Sequence, residues 1–152
     1  MSEVALSSAE SQSLHRIAGM MIPASQFYDT PGANDPLIFT DIIGSLGRDL
    51  VDVRNGLAAL STLAGDSFAD LDEARAASML EQFFASGSTA AAVLGRVILQ
   101  CYYRDDRVLR SLGLEARPPF PKGHTLEQGD WSLLDAVRAR PKLWRDDREV
   151  LR

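Results

Sequence analysis

The most continuous apolar stretch of the chain covers residues 88–103, with the sequence STAAAVLGRVILQCYY. On a helix, its apolar residues would occupy two adjoining faces: Val93, Val97 and Cys101 on one, and Leu94, Ile98 and Tyr102 on the other. A helix that is apolar around so much of its circumference must be surrounded by other elements. We therefore predict a central helix at about residues 88–104, with Ser88 as its N-cap.

Apolar residues at helical spacing predict further helices on both sides of this stretch. The first follows a Ser-x-x-Glu capping box at residues 7–10, or a cap one residue away from it, and ends before Pro23. A long pattern then runs from Pro36, after a capping Asp35, to about residue 64. It is either one curved helix or two helices with a break near Gly56. A capping-box-like start at residues 70–73 and the charged residues 104–107 begin two more helices. The predicted fold class is all-α, a small helical bundle around the central helix.

The last 39 residues, 114–152, differ in composition from the first 113. They contain four of the seven prolines and both tryptophans. They carry 8 Lys+Arg against 7 Asp+Glu, a charge of +1, which leaves the first 113 residues at −6 (8 minus 14). We predict a helical domain over residues 1–113 and an extended C-terminal tail over 114–152. The tail holds one short helix at 131–138, capped by Asp130, and the whole chain forms a single domain.

Composition and charge exclude several classes of protein. With 152 residues and 45% hydrophobic content, the chain is long enough for one domain with its own core. A net charge of −5 argues against a general nucleic-acid or anionic-membrane binder. The single cysteine excludes an internal disulfide. No apolar run reaches the ~18 residues of a membrane span, and the N-terminus shows neither a signal peptide nor a twin-arginine pair, so we expect a cytoplasmic protein.

The sequence contains no recognisable catalytic or metal-binding motif. Its two histidines, His15 and His124, are far apart and belong to no ligand spacing. We expect His15 to lie on the surface or to pack, and His124 to contact a partner. Cys101 lies within the apolar stretch, where a free cysteine behaves as a small hydrophobic residue. The chain is therefore predicted to be no enzyme by itself and to hold no cofactor or metal.

Aromatic and arginine residues in the tail indicate an interaction surface, because a segment without its own core cannot bury them locally. The tail could equally wrap over the helical body or dock on another chain, and it could do both by lying between the body and a partner. Phe27 and Tyr28, in a polar loop, are packing anchors on the body or, less commonly for such residues, binding residues. The predicted partner interface comprises Phe27, Tyr28, Tyr102, Tyr103, Pro118, Pro119, Phe120, His124, Trp131, Trp144 and Arg145.

The order of several short phrases resembles the gluconate 2-dehydrogenase subunit 3 family. These are Ile-Pro-Ala at 22–24, Pro-Gly-Ala at 31–33, Phe-Phe at 83–84, Tyr-Tyr at 102–103 and Leu-Gly at 112–113. The resemblance covers residues 14–121. It implies a non-catalytic small (gamma) subunit that binds and stabilises a large FAD-dependent dehydrogenase or oxidase of the glucose–methanol–choline (GMC) type. FAD and the alcohol or sugar substrate would then lie in the large subunit.

Two other hypotheses are compatible with the sequence. One is a stand-alone small enzyme or ligand-binding protein with a pocket between helices, lined by Tyr102, Tyr103, Arg104 and Asp105. Turnover or specific ligand binding by the isolated chain would favour it. The other is a homo-oligomeric structural protein, which would self-associate in a concentration-dependent way.

Overall fold

The computed structural model describes residues 5–65, 67–118, 120, 123, 125–141 and 143. The chain divides into two compact units, Met1–Arg117 and Pro118–Arg152. The contact boundary therefore lies slightly later than the change in composition at residue 114, since the backbone N–H of Leu114 still donates to Leu109 at the end of the last body helix. We call the first unit the body and the second the tail.

The described part of the body is helical throughout, apart from connecting loops and one isolated β-bridge between Ser25 and Thr30. Its α-helices are α1 (Ser8–Met21), α2 (Pro36–Gly44), α3 (Leu50–Ala64), α4 (Glu73–Ala85), α5 (Thr89–Tyr102) and α6 (Asp106–Ser111). Two short 3-10 helices, Gly47–Asp49 and Phe68–Asp70, precede α3 and α4. The all-α prediction is confirmed.

Local side-chain caps mark the starts of α1, α2, α5 and α6, as predicted. Ser7 and Glu10 form a complete capping box at α1, in which each side chain bonds the other residue's backbone N–H. At α2, α5 and α6 the cap is a single hydrogen bond, in which the side chain of Asp35, Ser88 or Asp105 accepts from a backbone N–H of the first turn. Pro36 lies in the first turn of α2. Each cap satisfies an N–H group that has no partner within the helix.

Helix α5 is the centre of the body, as its apolar pattern predicts. It packs against α2, α3 and α4, and it buries residues along most of its length: Ala91, Leu94, Gly95, Val97, Ile98, Cys101 and Tyr102. A Cβ on Gly95 would lie 3.3 Å from the Phe84 ring of α4, so the missing side chain lets these helices approach closely. The remaining face of α5, which includes Leu99 and Gln100, is exposed.

Two helix boundaries differ from the prediction. The long pattern from Pro36 breaks at residues 45–49, where Gly47 has φ +37°, and not near Gly56. Gly56 instead lies inside α3, buried against α5. The two helices are so close there that a Cβ on Gly56 would lie 3.4 Å from the Ala90 carbonyl oxygen. Helix α4 begins after Asp72, whose carboxylate accepts from the Arg75 N–H, whereas Asp70 ends a 3-10 turn.

The described part of the tail contains a single helical segment. A 3-10 turn, Trp131–Leu134, continues into the short helix α7 (Asp135–Arg138), and Asp130 accepts from the Ser132 N–H at its start. The predicted extent, 131–138, and the predicted cap are confirmed, but only the second half is α-helical. This segment buries no residue, and Trp131 is 59% exposed.

No single helix in the described ranges is long and apolar enough to cross a membrane. Helices α4 and α5 would together meet the length and composition, but they are bent by 110° at the break between them.

Candidate partner-binding surface

The loop between α1 and α2, residues 23–35, has a defined backbone conformation, and we call it the aromatic loop. Ser25 and Thr30 exchange two backbone hydrogen bonds of 3.0 Å, which close a four-residue turn over residues 26–29. The base is closed by a bond from the Ala33 N–H to the Ile22 carbonyl, 2.9 Å. Gly32 permits this closure, because a Cβ there would lie 2.9 Å from the backbone nitrogen of Ala24.

The turn presents two aromatic side chains to solvent. Phe27 is 87% exposed and Tyr28 is 67% exposed. Their rings contact each other edge to face, with centroids 4.8 Å apart. The interpretation of these residues as packing anchors on the body is therefore wrong, because most of both side chains is exposed to solvent.

An ion-pair cluster joins the C-terminal end of the aromatic loop to α6. Arg107 donates to both carboxylate oxygens of Asp35, at 2.7 and 3.1 Å, and to both of Asp105, at 2.9 and 3.0 Å. The hydrogen bonds from Arg107 hold the pKa of Asp35 and of Asp105 below the usual range for aspartate. In return, these two carboxylates raise the pKa of Arg107. We call these three residues the Arg107 clamp.

An open cleft of about 770 Å³ lies between the aromatic loop and α6. Tyr28 and Asp29 line it on one side, and Arg107, Arg110 and Ser111 on the other. The polar groups of the α6 wall already have partners within the body: Arg107 is held by the clamp, Arg110 pairs with Asp106 at 3.2 Å, and the Ser111 hydroxyl donates to the Val108 carbonyl. This arrangement provides shape and aromatic surface, but not a nucleophile activated by a base.

Within the described residues, no group of three or more His, Cys, Asp or Glu side chains could hold a metal ion. His15 packs edge to face on Phe39, and its Nε2 lies 3.0 Å from the Asn34 carbonyl oxygen, in agreement with the expected packing role. Cys101 is buried, and this burial raises the pKa of its thiol. A raised pKa disfavours the reactive thiolate.

The other predicted interface residues have different environments. Tyr103 is half-exposed at the end of α5, whereas Tyr102 is only 5% exposed and belongs to the hydrophobic core. The prediction of Tyr102 as a surface contact is corrected, since its position on α5 turns it inward. In the tail, Pro118, Phe120 and Trp131 are exposed. Pro119, His124, Trp144 and Arg145 lie outside the described residues.

The polar lining expected for a stand-alone pocket does not come together. Arg104 donates to the Asp41 carboxylate at 2.6 and 3.0 Å and to the Ser45 hydroxyl, which ties α5 to α2. Asp105 serves the clamp and the α6 cap, and Tyr102 is in the core. The cleft is instead lined by Arg107 and Arg110, residues that the sequence does not single out.

The sequence predicts Asp35 as a helix cap, but it does not predict the pairing of Asp35 with Arg107. The two residues are 72 positions apart, and an arginine two residues into a short helix carries no local sign of such a partner.

Comparison with protein-family models, curated proteins and solved structures found no significant match.

Proposed function

We propose that this chain is a non-catalytic accessory subunit that binds and stabilises a large FAD-dependent dehydrogenase or oxidase of the GMC type. The aromatic loop is its principal docking element on the body. The resemblance to the subunit 3 family motivates the identity of the partner. The observation that carries a binding role is the exposure of Phe27 and Tyr28 on a turn whose backbone is closed at two levels.

Exposed aromatic side chains on an ordered turn suit protein recognition for a physical reason. Each ring can bury a large area with few rotatable bonds, so its contribution to binding is offset by little lost side-chain entropy. A docked aromatic residue typically costs about 2 kcal/mol or more when truncated to alanine, about a thirtyfold change in Kd. Binding the folded partner also stabilises it by mass action.

FAD belongs to the partner in this proposal. The cleft beside the aromatic loop offers two arginines, and both are engaged by carboxylates of the body. A flavin pyrophosphate needs free cationic or backbone N–H donors. The alternative of a stand-alone ligand-binding protein would use this same cleft, and ligand binding or turnover by the purified chain alone would favour it.

The test is affinity purification of the tagged chain from its native host. We expect a larger, yellow, FAD-bearing protein to accompany the wild-type chain. The double variant Phe27→Ala/Tyr28→Ala is expected to lose most of it, while Val51→Ala, which alters an exposed apolar residue of α3, retains it. Deleting residues 114–152 tests the separate prediction that the tail is needed for binding.

The outcomes separate the parts of the proposal. A wild-type chain that purifies without a flavoprotein refutes the accessory role. A flavoprotein that stays with the Phe27→Ala/Tyr28→Ala variant but is lost on deletion of the tail assigns docking to the tail and refutes the role of the aromatic loop. Retention by the truncated chain refutes the tail's contribution.

A further inference from the structure

We propose that Arg107 is a positioning residue for the aromatic loop: it fastens the loop to α6, so that the Phe27–Tyr28 turn is held in its docking conformation before any partner binds. This inference rests on the proposed function, and it names Arg107 as the residue that fixes the conformation of the docking turn before binding.

The geometry of the clamp joins two helix starts through one side chain. The guanidinium makes a two-point contact with Asp35 and another with Asp105. Asp35 at the same time caps α2 through the Leu37 N–H, 3.0 Å, and Asp105 caps α6 through the backbone N–H of Arg107, 2.8 Å. The planar fork of arginine matches carboxylate geometry, so these contacts fix orientation as well as distance. The end of the loop is therefore tied to α6 as well as to α2.

The loop depends on such a tie because it buries little surface of its own. Only Gly32 and Ala33 are buried among residues 23–35, and the turn at 26–29 is exposed. Segments with few buried contacts and exposed backbone hydrogen bonds open locally at low free energy. The clamp residues are half-buried, which makes their charge-assisted bonds stronger than those of a fully solvated pair.

Holding the turn in place bears directly on docking. A flexible loop must lose conformational entropy when a partner binds, and this cost is subtracted from the contact energy. A loop already fixed by the clamp has lost that entropy on folding. Arg107 also lines the cleft opposite Tyr28, so the clamp fixes one wall of that cleft as well.

Hydrogen–deuterium exchange on the isolated full-length chain tests the clamp without any ligand. The informative amides are those of Ser25, Thr30, Ala33 and Asp35, each of which donates a backbone hydrogen bond within the loop region. In Arg107→Ala these amides are expected to exchange about tenfold faster, whereas amides in the middle of α5 keep their wild-type rates. Arg107→Lys, which retains the charge but not the fork, is expected to give an intermediate rate.

Arg110→Ala is the matched control. Arg110 lies one turn along α6 and lines the same cleft, but among the described residues its side chain pairs only with Asp106 of its own helix. Its removal is expected to leave exchange in the loop unchanged. If Arg107→Ala fails to fold, Asp35→Asn replaces it, since asparagine still caps α2 but lacks the charge that Arg107 binds. In Asp35→Asn the amides of the aromatic loop are expected to exchange faster than in the wild type, while the exchange rates in α5 stay unchanged.

Loop amides that keep their wild-type rates in Arg107→Ala or Asp35→Asn overturn the inference, and so does equal acceleration in the loop and in α5. The functional arm is co-purification with a wild-type chain that retains the flavoprotein: Arg107→Ala should then retain less of it than Arg110→Ala, and equal retention also overturns the inference. A wild-type chain that brings down no flavoprotein refutes the proposed function, while the exchange rates still report separately on the clamp.

Discussion

Two phenylalanines with opposite environments provide the sharpest test of the surface assignment. Phe27 lies at the exposed turn, 87% exposed, and Phe68 lies in the 3-10 helix before α4, fully buried. The Arg16 guanidinium sits 5.8 Å from the centre of the Phe68 ring and donates to the carbonyls of Phe68 and Ala69. The same change to alanine should therefore have very different consequences at the two positions.

The expected magnitudes follow from burial. Removing a fully buried phenylalanine side chain costs about 3–5 kcal/mol, because both apolar contact and packing are lost. Phe27 has roughly one eighth of its surface covered, so the corresponding loss is about 0.5 kcal/mol. Its edge-to-face contact with Tyr28 is exposed and adds little.

Urea unfolding followed by circular dichroism at 222 nm measures both changes. With an m-value of about 2 kcal/mol/M, Phe68→Ala should lower the urea midpoint by roughly 2 M. Phe27→Ala should shift it by less than about 0.5 M. A large shift for Phe27→Ala would mean that the turn packs on the body in solution, and it would refute the docking role of Phe27. A small shift for Phe68→Ala would contradict its place in the core.

Two further predictions concern backbone conformation and pH. Gly44 is the last residue of α2 and a new Cβ there would have no atom within 4 Å, so Gly44→Ala should raise the free energy of unfolding by about 0.5–1 kcal/mol. Gly65 caps α3 with φ +71°, a conformation that alanine disfavours, so Gly65→Ala should lower the free energy of unfolding by about 1 kcal/mol. Urea titration of both variants checks the sign of each change. Asp35 and Asp105 have lowered pKa values when folded, so they stabilise the chain above the unfolded aspartate pKa of about 3.9 and lose this contribution as pH falls through their folded values. The double variant Asp35→Asn/Asp105→Asn should therefore be less stable than the wild type at neutral pH. In an acid titration it should also lose stability less steeply below about pH 4. A loss as steep as that of the wild type would contradict a contribution of the clamp to acid unfolding.

The sequence alone determined the features that depend on near neighbours. The caps at Ser7, Asp35, Ser88 and Asp105 and the left-handed stop at Gly65 each involve hydrogen bonds or backbone angles within a few residues. They could be predicted because the interacting groups are adjacent in the chain. The apolar faces of α5 likewise followed from spacing, because a helix so widely apolar must be buried centrally.

Only the tertiary structure decided which side chains meet across the chain and which stay exposed. Gly56 could be read either as a helix breaker or as a contact point, and the closeness of α5 makes it the latter. Phe27 and Tyr28 are aromatic residues of the kind that commonly packs on a core, yet both are exposed on the turn that the Ser25–Thr30 bridge closes. The pairing of Arg107 with Asp35 spans 72 residues. Such contacts depend on how helices pack, and no local pattern of residues specifies that arrangement.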